Sequence, residues 1–441
     1  MSNLKAGFCR LDITPPLGVS VQGYFELRLA DGILDPLLAT AVAFDNGEKR
    51  IVVMSLDLIG FNQTLMDRVR KEIAKAIDTQ PEAVFVACTH THLGPGTVDS
   101  LGNTSNPEYI EWLVLKLRDA AVMAVNDLKP AELSFTRGKV EKVAFVRRFR
   151  MKDGTVCTNP GYLNPNIDKE LSEPDENSSL LIIKRQNGPQ IGIVNFQVHP
   201  DVIGGCTLSA DYPKFVRDTY EKLIDNSVCM YINGAQGDTN HIDVRLPENA
   251  CRSGYDRARY MGRKIAMSVL ENYELAEPLD GDEIFYGQKN IMVQYNKADA
   301  ELLEKATRLY KRYKEEGSSV LKPYEKEAGT NCMAIMGGLE RVVALKDLPD
   351  NKELYITAVS VGGVAFAGFP GEPFTQIGRS VKENSPFQLT VTACCANGYE
   401  GYYPVQAAFD EGGYEAASAR YKAGTAEKII DASSELLKSF Q

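Results

Sequence analysis

Only four histidines occur in the 441 residues, at positions 90, 92, 199 and 241. Three of them follow apolar runs directly: His90 and His92 after Ala83–Cys88, and His199 after the strand ending at Gln197. The fourth, His241, closes a Gly/Asn/Asp loop that also follows a strand. A neutral imidazole is the commonest metal ligand. In α/β proteins ligands collect at the carboxyl ends of strands. The pair in Thr89-His90-Thr91-His92 would present both rings to one face of an extended chain. If the chain turns at once, one ring could bind a metal and the other meet a substrate. Taken alone, the pair is equally two polar loop residues, and His199 is equally a strand-end ring bonded to backbone.

A carboxylate joins them. Glu372 stands in Phe369-Pro370-Gly371-Glu372-Pro373, after the apolar run Val361–Phe369. A carboxylate in such surroundings is costly unless paired or bound to metal, or it offsets the dipole at a helix N-terminus. The loop Asn397-Gly398-Tyr399-Glu400-Gly401-Tyr402-Tyr403 follows a further apolar strand. By itself it reads as a hydrophobic loop whose hydroxyls find partners. The loop from Asn233 to His241 is rich in glycine but has neither the Lys-Ser/Thr of a Walker loop nor a GxGxxG spacing, which excludes nucleotide binding on that ground. No Gly-x-Ser-x-Gly elbow supports a serine-triad hydrolase.

The elements that must position these residues follow from periodicity. Arg50–Leu58, Ala83–Cys88, Gln190–Gln197, Ser227–Asn233, Leu354–Phe369 and Gln388–Cys394 read as strands, with Ser179–Lys184 paired to Gln190–Gln197 around Asn187-Gly188. Asn62–Ile77, Pro107–Leu128, Asp211–Asp225, Arg257–Glu274, Ala298–Glu316 and Ala416–Phe440 have helical spacing, and Gly317–Asn331 reads as an exposed excursion. The expected fold is mixed α/β, with largely parallel strands, flanking helices and the active site at the carboxyl ends of strands. No repeat or Pro/Gly-rich linker divides the chain, so residues 1–441 are expected to form a single domain.

Bulk properties narrow the partners. A net charge of −10 argues against nucleic acid, which needs clustered Lys and Arg. The basic stretch Lys305–Lys314 is flanked by Glu and reads as a solvated helix face. No run approaches the ~18 apolar residues of a spanning helix, and the N-terminus lacks an apolar signal core. A cytoplasmic protein with no stable membrane anchor and a small-molecule substrate is expected. Nine cysteines without a CxxC pair point to small buried hydrophobes rather than a disulfide framework.

Together these blocks resemble the neutral/alkaline (non-lysosomal) ceramidases, in their N-terminal catalytic domain. The resemblance runs from Ala6-Gly7-Phe8-Cys9-Arg10-Leu11-Asp12-Ile13-Thr14-Pro15-Pro16 through THTHLGPG, VHPD, Gly237-Asp238, PGEPFT and NGYEGYYP. It implies zinc held by His90, His199, Glu372 and Tyr402, with His92, Arg147 and Tyr414 acting on the substrate. The family's loop serine is absent. That loop reads Gly237-Asp238-Thr239-Asn240-His241, so Thr239 or Asn240 fills the position, with Asn240 taken as catalytic and Asp238 and Thr239 as substrate-binding. No immunoglobulin-like domain is expected at the C-terminus. Asp57 and Asp211 are further candidates to face the pocket, and equally caps or turn residues. The expected function is zinc-dependent hydrolysis of a C–N amide bond in a small N-acylated molecule, by attack of metal-activated water. The alternatives are a true ceramidase, or a zinc hydrolase of an ester, lactone or sugar-linked bond.

Overall fold

A computed structural model describes residues 3–100, 102–247, 250, 253–328 and 331–441. Eight strands build most of the larger sheet: β1 (Lys5–Asp12), β2 (Leu38–Asp45), β3 (Arg50–Leu56), β4 (Val84–Cys88), β5 (Lys129–Lys139), β6 (Asn177–Arg185), β7 (Gln190–Phe196) and β8 (Ser227–Asn233). Their order across the sheet is β8-β7-β6-β5-β1-β2-β3-β4, and the short strand Glu277–Leu279 pairs with β5 as the ninth. A second sheet holds β9 (Ile284–Gln294), β10 (Asn351–Val361), β11 (Val364–Gly368) and β12 (Leu389–Ala393), in that order.

The two sheets stack face to face. Val42, Phe44, Ile51, Val53, Phe85, Ile183 and Ile193 from the first sheet share one core with Val359, Val361, Phe366 and Val391 from the second. The alternate residues of the same strands face helices, as the period of two requires. Ala41, Ala43, Val52 and Met54 pack against α1 (Gln63–Ala76) and α2 (Pro107–Asn126). Leu180, Ile182, Val194 and Tyr231 pack against α3 (Tyr212–Leu223) and α4 (Tyr255–Leu270). The outer face of the second sheet is covered in the same way from C-terminal segments, Ile377 and Val381 among them. The result is four layers: helices, sheet, sheet, helices.

The mixed α/β class stands, but the expectation of largely parallel strands does not. Only β3–β4, β7–β8 and β11–β12 are parallel among these pairs, and the rest are antiparallel. The reason is connection length. β2–β3, β6–β7 and β10–β11 are joined by tight turns carrying positive φ at Gly47, Asn187 and Gly362, and such short links reach only an antiparallel neighbour. The run Leu354–Phe369 is accordingly a hairpin, broken at Gly362-Gly363, rather than one strand. Parallel pairs need a crossover, and a helix lies within each: α1, α3 and the helix Thr375–Asn384. The edge and central strands β1, β2, β5 and β9 carry no site residue, and their sequences drew no strand assignment.

α5 (Ala300–Glu316) and α6 (Cys332–Leu345) lie between β9 and β10, α7 (Thr375–Asn384) between β11 and β12, and α8 (Tyr414–Ser418) and α9 (Thr425–Lys438) after β12. The expected long helix Ala416–Phe440 is two helices, separated by residues 419–424 that include Gly424 at positive φ. The expected excursion Gly317–Asn331 is largely helical, at Ser318–Leu321 and Lys322–Ala328, with Leu321 fully buried; residues 329–330 of it lie outside the described residues. With α5 and α6 it forms its own small core around Ala306, Tyr313, Leu321, Met336 and Leu339, to which Phe25 adds from the main body. No described helix is long and apolar enough to cross a membrane. Of the described cysteines, Cys9, Cys88, Cys229, Cys394 and Cys395 are buried and all are free; Cys251 lies outside the described residues.

Candidate metal centre and its cavity

The carboxyl ends of the parallel strands meet at one end of the two sheets. Buried polar groups stitch them there. The Asn195 amide donates to Ile232 O (2.9 Å) and Thr392 O (3.0 Å), tying β7 to both sheets. Asn397, after β12, accepts from Val86 N at 2.9 Å and donates to Thr357 Oγ1 at 2.9 Å. Asn233 Nδ2 donates to Thr89 O at 3.1 Å, and Cys394 N donates to Asn233 O at 2.9 Å. These bonds hold the strand ends that carry residues 89–92, 197–201, 234–241, 369–374 and 395–403.

The chain turns immediately after β4. His90 has φ +72°, in the left-handed region, a conformation that costs of order 1 kcal/mol or more for a residue with a Cβ. So the two rings of the HxH pair do not alternate along a strand. They nevertheless converge, with centroids 5.1 Å apart, and His199 lies 5.1 Å from His90 and 5.7 Å from His92. One ring nitrogen of each of the three lies within 4.8 Å of the others. Glu372 Oε2 stands 3.3 Å from His90 Nε2 and 3.0 Å from His199 Nε2. All of these groups are almost fully buried except His92, whose side chain is 12% exposed.

The tautomers follow from the far sides of the rings. His90 Nδ1 is 2.8 Å from the carbonyl of Ile59, and His199 Nδ1 is 3.1 Å from those of Gln236 and Thr239. A carbonyl only accepts, so both Nδ1 atoms carry the proton and both Nε2 lone pairs face Glu372. Neither Nε2 atom has a hydrogen-bond partner, nor does either nitrogen of His92. Lone pairs and a carboxylate oxygen converging at 3 Å are repulsive unless a cation lies among them. Burial holds His199 down at about 4 and His92 well below the usual imidazole range, so a proton does not fill that role at neutral pH. A divalent metal fits the donor set of imidazole nitrogen and carboxylate oxygen.

Tyr402 is brought to the site by a two-residue parallel ladder. Glu372 and Pro373 pair with Tyr402 and Tyr403, with Glu372 and Tyr402 as direct partners, an arrangement that puts their side chains on one face. The Tyr402 ring packs edge-on against Tyr414, centroids 5.5 Å apart. The Arg147 guanidinium lies 5.3 Å from the Tyr402 ring centre and 5.9 Å from that of Tyr414. Arg147 is itself held by Glu415 Oε1 at 2.7 Å and Gly237 O at 2.7 Å. Burial raises the Tyr402 phenol well above its usual range, and Arg147 opposes the shift.

A cavity of about 660 Å³ opens onto this cluster. Its inner wall includes His90, His92, Glu372, Tyr399, Tyr402 and Tyr414. Tyr399 was not singled out by the sequence, although it is the first tyrosine of the same loop. Its hydroxyl donates to Glu372 Oε1 at 2.6 Å and its ring stacks on His90 at 5.9 Å. Gly60 leaves room for that ring, since a Cβ there would come within 2.9 Å of it. Gln236 is a second residue that escaped notice: it is fully buried and its Nε2 is 3.5 Å from Glu372 Oε2. The remaining side of His92 faces Asp201 at 3.7 Å, and Tyr24 donates to the same carboxylate.

The other acidic and polar candidates are occupied elsewhere, and none lines the cavity. Asp57 is engaged by Arg217: its two oxygens receive Arg217 Nη1 at 2.9 Å and Nη2 at 2.7 Å. Asp211 caps α3 and accepts from Val202 N and Ile203 N, both at 2.9 Å. Asp238 accepts from Thr375 N and Oγ1, each at 2.8 Å, at the start of α7. Thr239 contributes its carbonyl to His199, while its hydroxyl turns to Gln236 O at 3.3 Å. Asn240, expected to be catalytic, donates to Asn159 Oδ1 at 2.7 Å and accepts from Ile242 N at 2.9 Å, which leaves its amide engaged in the loop.

No family model matches the chain. Solved structures do. A crystal structure of neutral ceramidase from Pseudomonas aeruginosa aligns with a TM-score of 0.74 at 18% identity, covering 99% of this chain and 75% of that one. A structure described as ceramidase complexed with C2 aligns with a TM-score of 0.71 at 17% identity, over the same shares of the two chains. The fold is that of these proteins.

Proposed function

We infer that this chain, which has the fold of the neutral ceramidases, is a zinc-dependent hydrolase of a C–N amide bond in a small N-acylated molecule. The observation that carries the reading is the convergence of His90 Nε2 and His199 Nε2, buried and without hydrogen-bond partners, on Glu372 Oε2 beside the cavity. In this reading His90, His199, Glu372 and Tyr402 hold the metal, and His92 faces the substrate. A zinc ion so held supplies a Lewis acid and a water whose pKa falls toward about 7.

The chain's own residues supply the rest. Tyr414 lines the cavity beside Tyr402, and a phenol is protonated at neutral pH. Its hydroxyl is therefore a donor for the amide carbonyl oxygen as negative charge develops there. Arg147 fixes both tyrosine rings and adds positive charge behind them. His92, held neutral by burial, has an unpartnered ring nitrogen that accepts the proton of the attacking water and hands it on to the leaving amine. Tyr399 holds Glu372 by its second oxygen. Such a partner sets ligand orientation, and Tyr399→Phe is expected to weaken metal affinity by roughly 10- to 100-fold, measured by competition with a chromogenic chelator. Tyr414→Phe is expected to retain stoichiometric metal while kcat falls roughly 100-fold; an unchanged kcat would remove Tyr414 from the reaction.

A small polar substrate is favoured over a long lipid because the wall facing the cluster bears Lys314, Glu340, Arg341 and Arg420. The test is metal analysis of the purified protein, followed by hydrolysis of N-acyl amides, the matching esters and a short-chain ceramide with and without added zinc. Absence of bound metal together with no response to added zinc would sink the reading.

A further inference from the structure

Part of the cavity wall is built by α5 and α6. On α6, Gly337, Arg341, Ala344 and Leu345 recur at helical spacing and line the cavity. Gly337 is pressed against Tyr414, where a Cβ would come within 2.9 Å of the ring. Arg341 follows one turn later, so it stands roughly 6 Å further along the helix axis from that contact. Its Nε donates to Ala417 O at 2.8 Å and its Nη1 to Asn296 O. Both partners are neutral carbonyls.

What is missing is a counter-charge. Among the described residues, no carboxylate lies within 4.0 Å of Arg341 or of Lys314. Burial lowers the Arg341 guanidinium, and no nearby acid offsets the effect. Asp99 and Glu340 also line the cavity, and neither lies within 4.0 Å of either cation. Asp99 accepts from Ser105 N at 2.7 Å and Ser105 Oγ at 2.9 Å, and the Glu340 charge acts on Tyr310 and Tyr313 of α5. Lys314, on α5, reaches the same cavity with its ammonium 5.4 Å from the Tyr310 ring centre. A partly buried guanidinium at a cavity wall with no carboxylate in ion-pair reach is an unfavourable arrangement in the free protein. It becomes favourable once an oxyanion occupies the cavity, because charge-assisted bonds to carboxylate or phosphate are the strong ones.

We propose that the substrate carries an anionic group, carboxylate or phosphate, which Arg341 receives with Lys314 one helical turn beyond Tyr414. The inference rests on the hydrolase reading and names the substrate class of that site: an N-acylated amino acid or aminoalkyl phosphate rather than a neutral amide.

The test compares N-acetyl amino acids, the same compounds as primary carboxamides, and N-acetyl aminoalkyl phosphates, using the zinc-loaded full chain. The acids or the phosphates are expected to exceed the carboxamides in kcat/KM by roughly 10- to 100-fold, and which of the two does so identifies the anion. Arg341→Met should erase that preference, chiefly through KM, with Arg341→Lys recovering part of it. Because Arg341 also holds two carbonyls, the exposed Lys314→Met serves as the second variant and should reduce the preference without shifting Tm. Carboxamides hydrolysed as well as the acids and phosphates would overturn the proposal while leaving the hydrolase reading intact. If nothing is hydrolysed, calorimetric titration with the same compounds decides: Arg341-dependent binding of the anions supports the site and counts against amide cleavage, and no binding overturns it.

Discussion

His199→Ala yields a folded protein that purifies without stoichiometric metal and hydrolyses amide substrates no faster than background. The expectation follows from geometry rather than from ligand identity alone. Nε2 of His199 is the ring nitrogen nearest Glu372 Oε2, at 3.0 Å, and its Nδ1 is fixed by two carbonyls, so the ring is held in orientation for the metal. Removing one of few first ligands leaves a buried carboxylate facing one imidazole. His92→Ala is the informative contrast. His92 belongs to the same three-ring cluster, yet it is assigned to the substrate. The variant is expected to keep its metal and lose turnover. Loss of metal from His92→Ala, with retention in Tyr402→Phe, would exchange the roles of those two residues. Metal content by emission spectroscopy and single-turnover rates separate the cases.

Asp57→Ala is expected to destabilise the fold by about 3–5 kcal/mol without a selective change in KM, because it leaves Arg217 as an unpaired buried charge. Both side chains are almost fully excluded from solvent and meet through two hydrogen bonds, with Leu38 N adding a third at 3.0 Å. The pair locks the end of β3 to α3, and hence the strand that runs beside β4 toward His90. Combining Asp57→Leu with Arg217→Met should recover much of the loss, since a neutral pair of similar volume avoids the desolvation penalty. Denaturant unfolding measures both. A substrate role for Asp57 would instead appear as a raised KM in a protein of unchanged stability.

Much of the frame was legible in the chain. Arg50–Leu56, Val84–Cys88, Gln190–Phe196 and Ser227–Asn233 are buried on both faces and read as uninterrupted apolar runs, so their existence needed no partner. Asn62 and Asn106 cap α1 and α2, immediately before the helical periodicity begins. Strand direction was less legible. Apolar runs look alike in parallel and antiparallel neighbours, and only the turn lengths at Gly47, Asn187 and Gly362 distinguish them. Lys129–Lys139 and Ile284–Gln294 escaped assignment because most of each strand is not fully buried and Lys, Arg or Gln interrupt their short apolar positions.

The same division holds for the site. The sequence by itself determined that three histidines and a glutamate end buried strands, a local property set by apolar periodicity, and the family likeness supplied Tyr402, Arg147 and Tyr414. Tertiary structure alone decided which groups face one another. It turned His90 into the left-handed region, paired Glu372 with Tyr402 through a two-residue ladder, and aimed Tyr399 at Glu372. It also drew Asp57 to Arg217, 160 residues away, and set Arg341, on a helix that the sequence reading did not assign, in the cavity wall. Local spacing reports which face of an element is buried. It carries no information about which distant side chain will occupy the space opposite, and the chemistry of this cavity is made of such meetings.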